Sequence, residues 1–528
     1  MKKFRQKKYF LPFLFLLFFV TRVFFINPHE VFFDSGEYLH LFSQKNYLYA
    51  ITAGHFPPHE GYIVLFWPIY QAAKLFTLNA AYTVIIFQII LSFFTLYFFY
   101  QFIAYIIDKK TAFITTIIAS ITPLFWIINV TIMMENAYAF FFFLSLFLLI
   151  QYLKTKKQYL LHLTLISLSL AVLTQTMTIL WAPILLYIVF LKSKNELIKI
   201  FLLLCAYIFI FSIINIFFIS SILSMHPLTV FNFLYLSKGG EFAEIPFSIK
   251  GLLVAIRNFL IPLLQNNTIL INLLSLISLF VAFKHNKKIF LFGLLFILPA
   301  LYTNQWWDSL LNGRHALLAD FGLAFMVGYL LRRKNILYFL FIICYIIWVS
   351  VPALTLLKKP IPYLVEAHYV ATLPKGSFII ESHFARPQVQ ETIKGIPFYV
   401  NEPGYDVDTL DKKINTYLAE KKPIFISSAA LSEPYGLYSG PYLHNITLSY
   451  EFPFLLQTKL ANYTVVQYKI ISAEDNLLIY KITAWKKAPY PTVKNMKDSY
   501  RRLDYTDPFW QLMWWLEKNF IKSNSTPS

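Results

Sequence analysis

The chain has 528 residues, of which 58% are hydrophobic, 19% aromatic and 14% charged. Soluble domains carry about 25% charged residues, so this composition, with a mean hydropathy of +0.57, excludes a string of soluble domains and specifies a polytopic membrane protein. The net charge of +19 does not require nucleic acid, because lysines and arginines retained on cytoplasmic loops produce such an excess.

Residues 1–8 are basic and lead into an apolar run. No small-residue cleavage site follows, since Thr21-Arg22-Val23-Phe24-Phe25 is bulky, so an uncleaved first span over 10–26 is expected. Further apolar runs at 83–107, 112–130, 137–153, 159–173, 177–191, 200–219, 263–283, 289–302, 315–331 and 336–356 bring the expectation to about eleven transmembrane helices. The short pair around Thr174 reads equally as one broken hairpin. Residues 62–76, with Trp67, Pro68 and Tyr70, read as an interfacial helix. Cys205 and Cys344 both lie in apolar runs, so neither a disulfide nor a cysteine metal site is expected.

Charge distribution orients these spans. With a cytoplasmic N-terminus, residues 1–8, 108–110, 154–157, 192–199, 284–288 and 332–334 are inner loops, and each carries lysine or arginine. The outer loops, 27–81, 131–136, 174–176, 220–262 and 303–314, carry few for their length. Lys358-Lys359-Pro360 and Pro362 then mark a boundary. Beyond it the composition mixes polar and apolar residues. Strands are expected at 377–381, 423–427 and 477–482 and a helix at 408–421. The expected organisation is therefore a transmembrane domain over 1–357, an extracytoplasmic α/β domain over 358–490, and an aromatic amphipathic tail over 491–528. In the tail, Asp507-Pro508 starts a helix bearing Trp510, Trp514 and Trp515, suited to a membrane surface or to the α/β domain.

The first outer loop gathers the candidate chemistry. Asp34 and Glu37 are three apart, which on a helix puts both carboxylates on one face, with Gly36 between them. A carboxylate beside apolar walls acts as a general base if its pKa is tuned upward and holds a cation if it is not. The plainer alternative is that Asp34 caps a helix beginning at Ser35. His55, His59 and Glu60 follow, with Pro57 and Pro58 keeping the segment out of helix until Tyr62. These imidazoles suit phosphate or substrate contact, or a metal shared with Asp34 or Glu37. On the same side, Glu135 marks a span start and Gln175 lies between two short spans. The last outer loop runs Gln305-Trp306-Trp307-Asp308 to Asn312-Gly313-Arg314-His315. Arg314 there either snorkels or forms a fork for phosphate. His226, Lys238 and Arg257 have no spacing that selects one of them.

Asp34-Ser-Gly-Glu37, followed by His55-x-Pro-Pro58-x-x-Gly61-Tyr62, resembles the signatures of GT-C membrane glycosyltransferases, in the branch of protein O-mannosyltransferase-like enzymes. Phe56 and the inserted His59-Glu60 depart from that pattern. Three further segments resemble later motifs of this class, which includes lipid-A aminoarabinose transferases: Met134-Glu135-Asn-Ala-Tyr138, Leu173-Thr-Gln175-Thr and Asn312-Gly-Arg314-His315-Ala-Leu-Leu. The resemblance covers about residues 1–356. It implies an inverting transferase in the cytoplasmic membrane, moving a sugar from a polyprenyl-phosphate carrier to a protein, lipid or glycan acceptor at the outer face. Asp34 is then the implied base, with Glu37 or Glu135 supporting it or orienting the acceptor. Arg314, with His55 or His59, is implied to hold the departing phosphate; Glu60, Tyr62 and His315 complete the implied substrate-binding set. Relatives differ in metal dependence: the sequence requires no cofactor and leaves a divalent metal open. The other readings are a flippase for lipid-linked sugars, disfavoured because no inverted repeat is visible, and a surface-polysaccharide polymerase or ligase.

Overall fold

The computed structural model describes residues 10–28, 33–52, 59–224, 226–231, 269–300, 313–332, 335–356, 362–382, 396–400, 407–428, 430, 460, 463–472 and 477–485. His55, the loop before Gly313, Lys238, Arg257 and the aromatic tail lie outside them, as do the side chains of Asp34 and His315. The chain divides into two compact units, the second taking Glu30–Gly36, Pro246–Leu253 and Lys359–Ser528.

The first unit is helical. Up to residue 174 the chain contains, in order, α1 (Phe10–Val23), α2 (Phe33–Ser43), α3 (Tyr47–Thr52), α4 (Glu60–Leu75), α5 (Ala80–Ile106), α6 (Lys109–Ile121), α7 (Pro123–Val130), α8 (Glu135–Thr155) and α9 (Gln158–Thr174). A 3-10 turn (Thr176–Trp181) leads into α10 (Ala182–Lys192), α11 (Leu197–Leu223) and α12 (Pro227–Phe231). Then follow α13 (Ile269–His285), α14 (Lys287–Ile297), a 3-10 turn (Gly313–Ala316), α15 (Leu317–Leu331), α16 (Asn335–Tyr345), a π-segment (Ile346–Ser350) and α17 (Val351–Leu356).

Among the described residues, Ala80–Ile106, Glu135–Thr155 and Lys194–Ile222 are each long and apolar enough to cross a membrane. Other apolar helices have 10–17 residues, below the ~20 that a ~30 Å hydrocarbon layer needs. Helix α11 exposes Ile198, Phe201, Leu202, Phe209, Ile210, Ile214 and Phe217, an apolar surface larger than water-facing helices ordinarily present. Helix α15, by contrast, is buried on nearly all sides. It approaches α6 closely: a Cβ on Gly328 would lie 2.1 Å from Thr115 Oγ1 and 2.9 Å from Thr115 Cα. Small residues let membrane helices approach in this way.

Two expectations are corrected. The run 112–130 is not one straight span but α6 and α7, bent by 63°. Pro123 opens α7 after the extended Thr122, and a proline that lacks an N–H begins a helix more readily than it continues one. The second concerns α4, which begins at Glu60 and not at Tyr62. The free amides of a first helical turn let it start just past a proline pair. The start at Phe33 also places Asp34 inside α2 instead of capping it.

The second unit has a five-stranded sheet, with β1 (Phe378–Ser382), β2 (Ile396–Val400), β3 (Ile424–Ser427), β4 (Tyr463–Ser472) and β5 (Leu477–Trp485) in the order β2-β1-β3-β5-β4. Its helices are α18 (Pro362–Val370) and α19 (Val407–Ala419). β1 pairs parallel with β2 and β3, while β5 pairs antiparallel with β3 and β4. The expected strands near 378, 424 and 477 and the helix near 408 are present; β2, β4 and α18 were not anticipated. Leu410, Ile414 and Tyr417 form one stripe of α19 and pack on Phe378, Ile380, Ile424 and Ile426.

Candidate functional site

Helix α2 carries Asp34 and Glu37 one turn apart on the same face, as their spacing requires. The helix is anchored by the residues that follow. Tyr38 meets Tyr62 edge-on at 4.8 Å between ring centroids, and Phe42 contacts Tyr62 at 5.5 Å and Tyr70 at 5.8 Å. Glu37 is half-buried beside this aromatic cluster.

The start of α4 is equally fixed. His59 and Glu60 are buried. His59 Nδ1 lies 2.8 Å from the carbonyl oxygen of Thr174, and its ring is 6.0 Å from that of Tyr38. Gly61 is required by close approach, because a Cβ there would sit 2.0 Å from Thr174 Oγ1. The end of α9 thus packs directly on the segment inserted relative to the resembled motif. Gln175, the residue after α9, is buried as well. The Tyr62 hydroxyl donates to Gln88 Oε1 of α5 at 2.7 Å.

The structure unites Glu135 and Arg314. Glu135 is the first residue of α8, where a carboxylate also meets the positive end of the helix dipole. It is fully buried and lies 3.5 Å from Arg314 Nε. Arg314 sits in the 3-10 turn before α15 and is 7% exposed. Its side chain turns inward to this partner and does not snorkel to water. Arg314 Nη1 reaches Met133 Sδ at 3.7 Å, and the Tyr138 hydroxyl donates to the Arg314 carbonyl at 3.3 Å. Glu135 is close enough to act electrostatically on both Tyr62 and Tyr138. The first outer loop and the last therefore meet at Glu135.

Sequence reasoning missed Gln88 and Asp320. Asp320 is buried on α15, within electrostatic reach of Tyr138. Gln88 and Asp320 interrupt apolar runs, and polar side chains inside membrane helices are themselves a functional signal. Among the described residues, no three histidine, cysteine or acidic side chains gather to hold a metal.

Chemically, the arrangement holds a guanidinium in a dry environment with one edge on a carboxylate. A guanidinium in such a place attracts an anion with little competition from water. Carboxylates and an imidazole of the kind carried by α2 and the start of α4 suit hydroxyl orientation and proton transfer.

No protein-family model matches the chain, and no curated protein matches it. Solved structures do match. ArnT from Cupriavidus metallidurans, bound to undecaprenyl phosphate, aligns over 89% of this chain and 97% of its own, with a TM-score of 0.53 and 9% identity. The Archaeoglobus fulgidus oligosaccharyltransferase, in complex with zinc and sulfate, aligns over 90% of this chain and 73% of its own, with a TM-score of 0.50 and 11% identity. The chain shares its overall fold with these two proteins.

Proposed function

We propose that the protein is a membrane glycosyltransferase that takes a sugar from a polyprenyl-phosphate carrier and transfers it, with inversion, to a protein, lipid or glycan acceptor at the outer face of the membrane. The observation that carries this reading is the buried Arg314–Glu135 pair, within electrostatic reach of Tyr62, in a bundle whose fold matches a protein solved with undecaprenyl phosphate.

In this reading the acceptor hydroxyl loses its proton to the Asp34 carboxylate as its oxygen attacks the anomeric carbon. The bond from that carbon to the carrier phosphate breaks on the opposite side. Its electron pair leaves with the phosphate, whose extra negative charge falls to Arg314. A phosphate leaving group needs charge stabilisation more than a proton, and a preorganised cation supplies it at the moment of reaction. Glu135 holds the guanidinium by Nε and so fixes the cation that meets the phosphate. Glu37 supports Asp34 from the next turn of α2, and His59 and Glu60 line the acceptor side. The second unit binds the acceptor outside the cytoplasm, with about eleven spans preceding it.

Mass spectrometry of envelope glycans, glycoproteins and lipid-linked sugars in a gene-deletion strain tests the reading. Loss of one glycan species with accumulation of its polyprenyl-phosphate sugar is expected. An unchanged glycan and lipid profile contradicts it.

A further inference from the structure

We propose that Gln88 is a positioning residue, which ties the start of α4 to the turn that presents Glu135. The inference rests on the transferase reading for its kinetic consequence but not for its geometry.

Gln88 lies in the first third of the apolar helix α5 and is fully buried. Its oxygen accepts the Tyr62 hydroxyl at 2.7 Å. Its nitrogen donates to the Thr131 carbonyl at 2.9 Å and lies 3.4 Å from that of Met133. One side chain thus bridges two segments that both reach Glu135. The carbonyls it serves belong to the non-helical link between α7 and α8. In a membrane interior such groups must find partners within the protein.

The rest of that link is secured in the same manner. Ser92, one turn beyond Gln88, donates to Asn136 Oδ1 at 2.8 Å, and Asn136 Nδ2 donates to the Ile128 carbonyl at 2.7 Å. Thr131 Oγ1 closes on the Ile127 carbonyl at 2.9 Å, and the Asn27 amide donates to the Val130 carbonyl at 2.9 Å. The free carbonyls at the end of α7 are therefore capped, and the direction in which the chain enters α8 is set. Only Gln88 among these groups also grips Tyr62. A side chain that merely satisfied its own hydrogen bonds would not need partners on both outer loops. Losing the bridge allows Glu135, and Arg314 with it, to drift relative to the first loop. Displacements of about 1 Å cost roughly 100-fold in rate where groups must be aligned.

The test compares Gln88→Leu and Gln88→Glu with the wild type in the full-length protein. Amide hydrogen exchange is read at residues 60–63 and 131–136 without substrate, and steady-state kinetics are read with a polyprenyl-phosphate sugar. Gln88→Leu should speed exchange in both segments and lower kcat by about 100-fold, with KM changed by less than about threefold. Gln88→Glu should recover turnover relative to wild type as pH falls, because its protonated carboxyl donates to Thr131 and still accepts from Tyr62. If neither variant folds, Tyr62→Phe removes one hydroxyl and leaves the carbonyls served. It should speed exchange at 60–63 and lower kcat by at least about tenfold. Unchanged exchange at 131–136 in a folded Gln88 variant, a loss confined to KM, or wild-type turnover in Tyr62→Phe overturns the proposal. A wild-type protein that transfers no sugar contradicts the transferase reading instead, and the exchange data still decide the tether.

Discussion

Replacing Glu135 by glutamine removes the charge facing Arg314 and leaves a guanidinium buried. The magnitude follows from the geometry. At 3.5 Å and an effective dielectric of about 20, the attraction is about 5 kcal/mol. Removing one partner of a buried pair costs about 3–5 kcal/mol in other proteins, because the remaining charge is stranded. Glu135→Gln and Arg314→Met should therefore each destabilise the first unit by about 3–5 kcal/mol. The double variant should lose much less than their sum, since no charge is then left uncompensated. The assay is chemical unfolding of the purified protein in one detergent, with all four forms compared as a double-mutant cycle. Strictly additive losses, or single variants as stable as wild type, would refute the pairing. A double variant that regains stability but not sugar transfer would agree with Arg314 being retained for phosphate at the expense of packing.

Gly61→Ala should destabilise the junction of α4 and α9 by about 1–3 kcal/mol, the usual cost of overpacking, because its Cβ would overlap Thr174 Oγ1. Thr174→Ala in the same chain should restore part of that loss, and equal stability of Gly61→Ala and wild type in thermal melts would count against the close approach. In the second unit, Glu366 of α18 and Glu381 of β1 are both fully buried, and Ser427 donates to Glu381 Oε1 at 2.5 Å. Burial, and then the Glu381 charge, hold the Glu366 carboxyl well above the usual carboxylate range. Folded protein thus retains a proton that the unfolded chain releases above about pH 4.3. The associated stability is complete below that pH and is lost as pH rises towards the folded value, by about 1.4 kcal/mol per pH unit. Glu366→Gln should flatten this slope and protect β1 and β3 at neutral pH in exchange measurements corrected for intrinsic rates. An unaltered pH slope would show that Glu366 does not carry it.

Much of this architecture was legible because long apolar runs have few alternatives. The starts of α5, α8 and α9 lie within a few residues of their expected positions, and the strand near 424 is an apolar run buried on both faces. The bend at Pro123 was hidden because hydropathy sums do not register a missing N–H. β4 carried a signal in Tyr463, Thr464, Val465 and Val466 that was passed over, since its alternation is broken by irregular register with β5. At the site, Asp34 and Glu37 were visible as local spacing. The Glu135–Arg314 pair was not, because each residue marks the start of a different helix and only tertiary packing brings them together. Arg314 alone read as either a snorkelling cation or a fork for phosphate; its burial removes the first. His59 and Glu60 stood out as an insertion in the resembled motif, and the contact of His59 with the Thr174 carbonyl shows one thing that holds it.

The most direct measurement is a single-turnover assay with purified protein, a polyprenyl-phosphate sugar and membrane-derived acceptors, run beside Asp34→Asn. The account predicts release of polyprenyl phosphate with a new inverted glycosidic bond in the wild type, and neither in a folded Asp34→Asn protein. Full transfer by Asp34→Asn would contradict the assigned base, and donor moved across a vesicle bilayer without glycosidic bond formation would contradict the transferase itself.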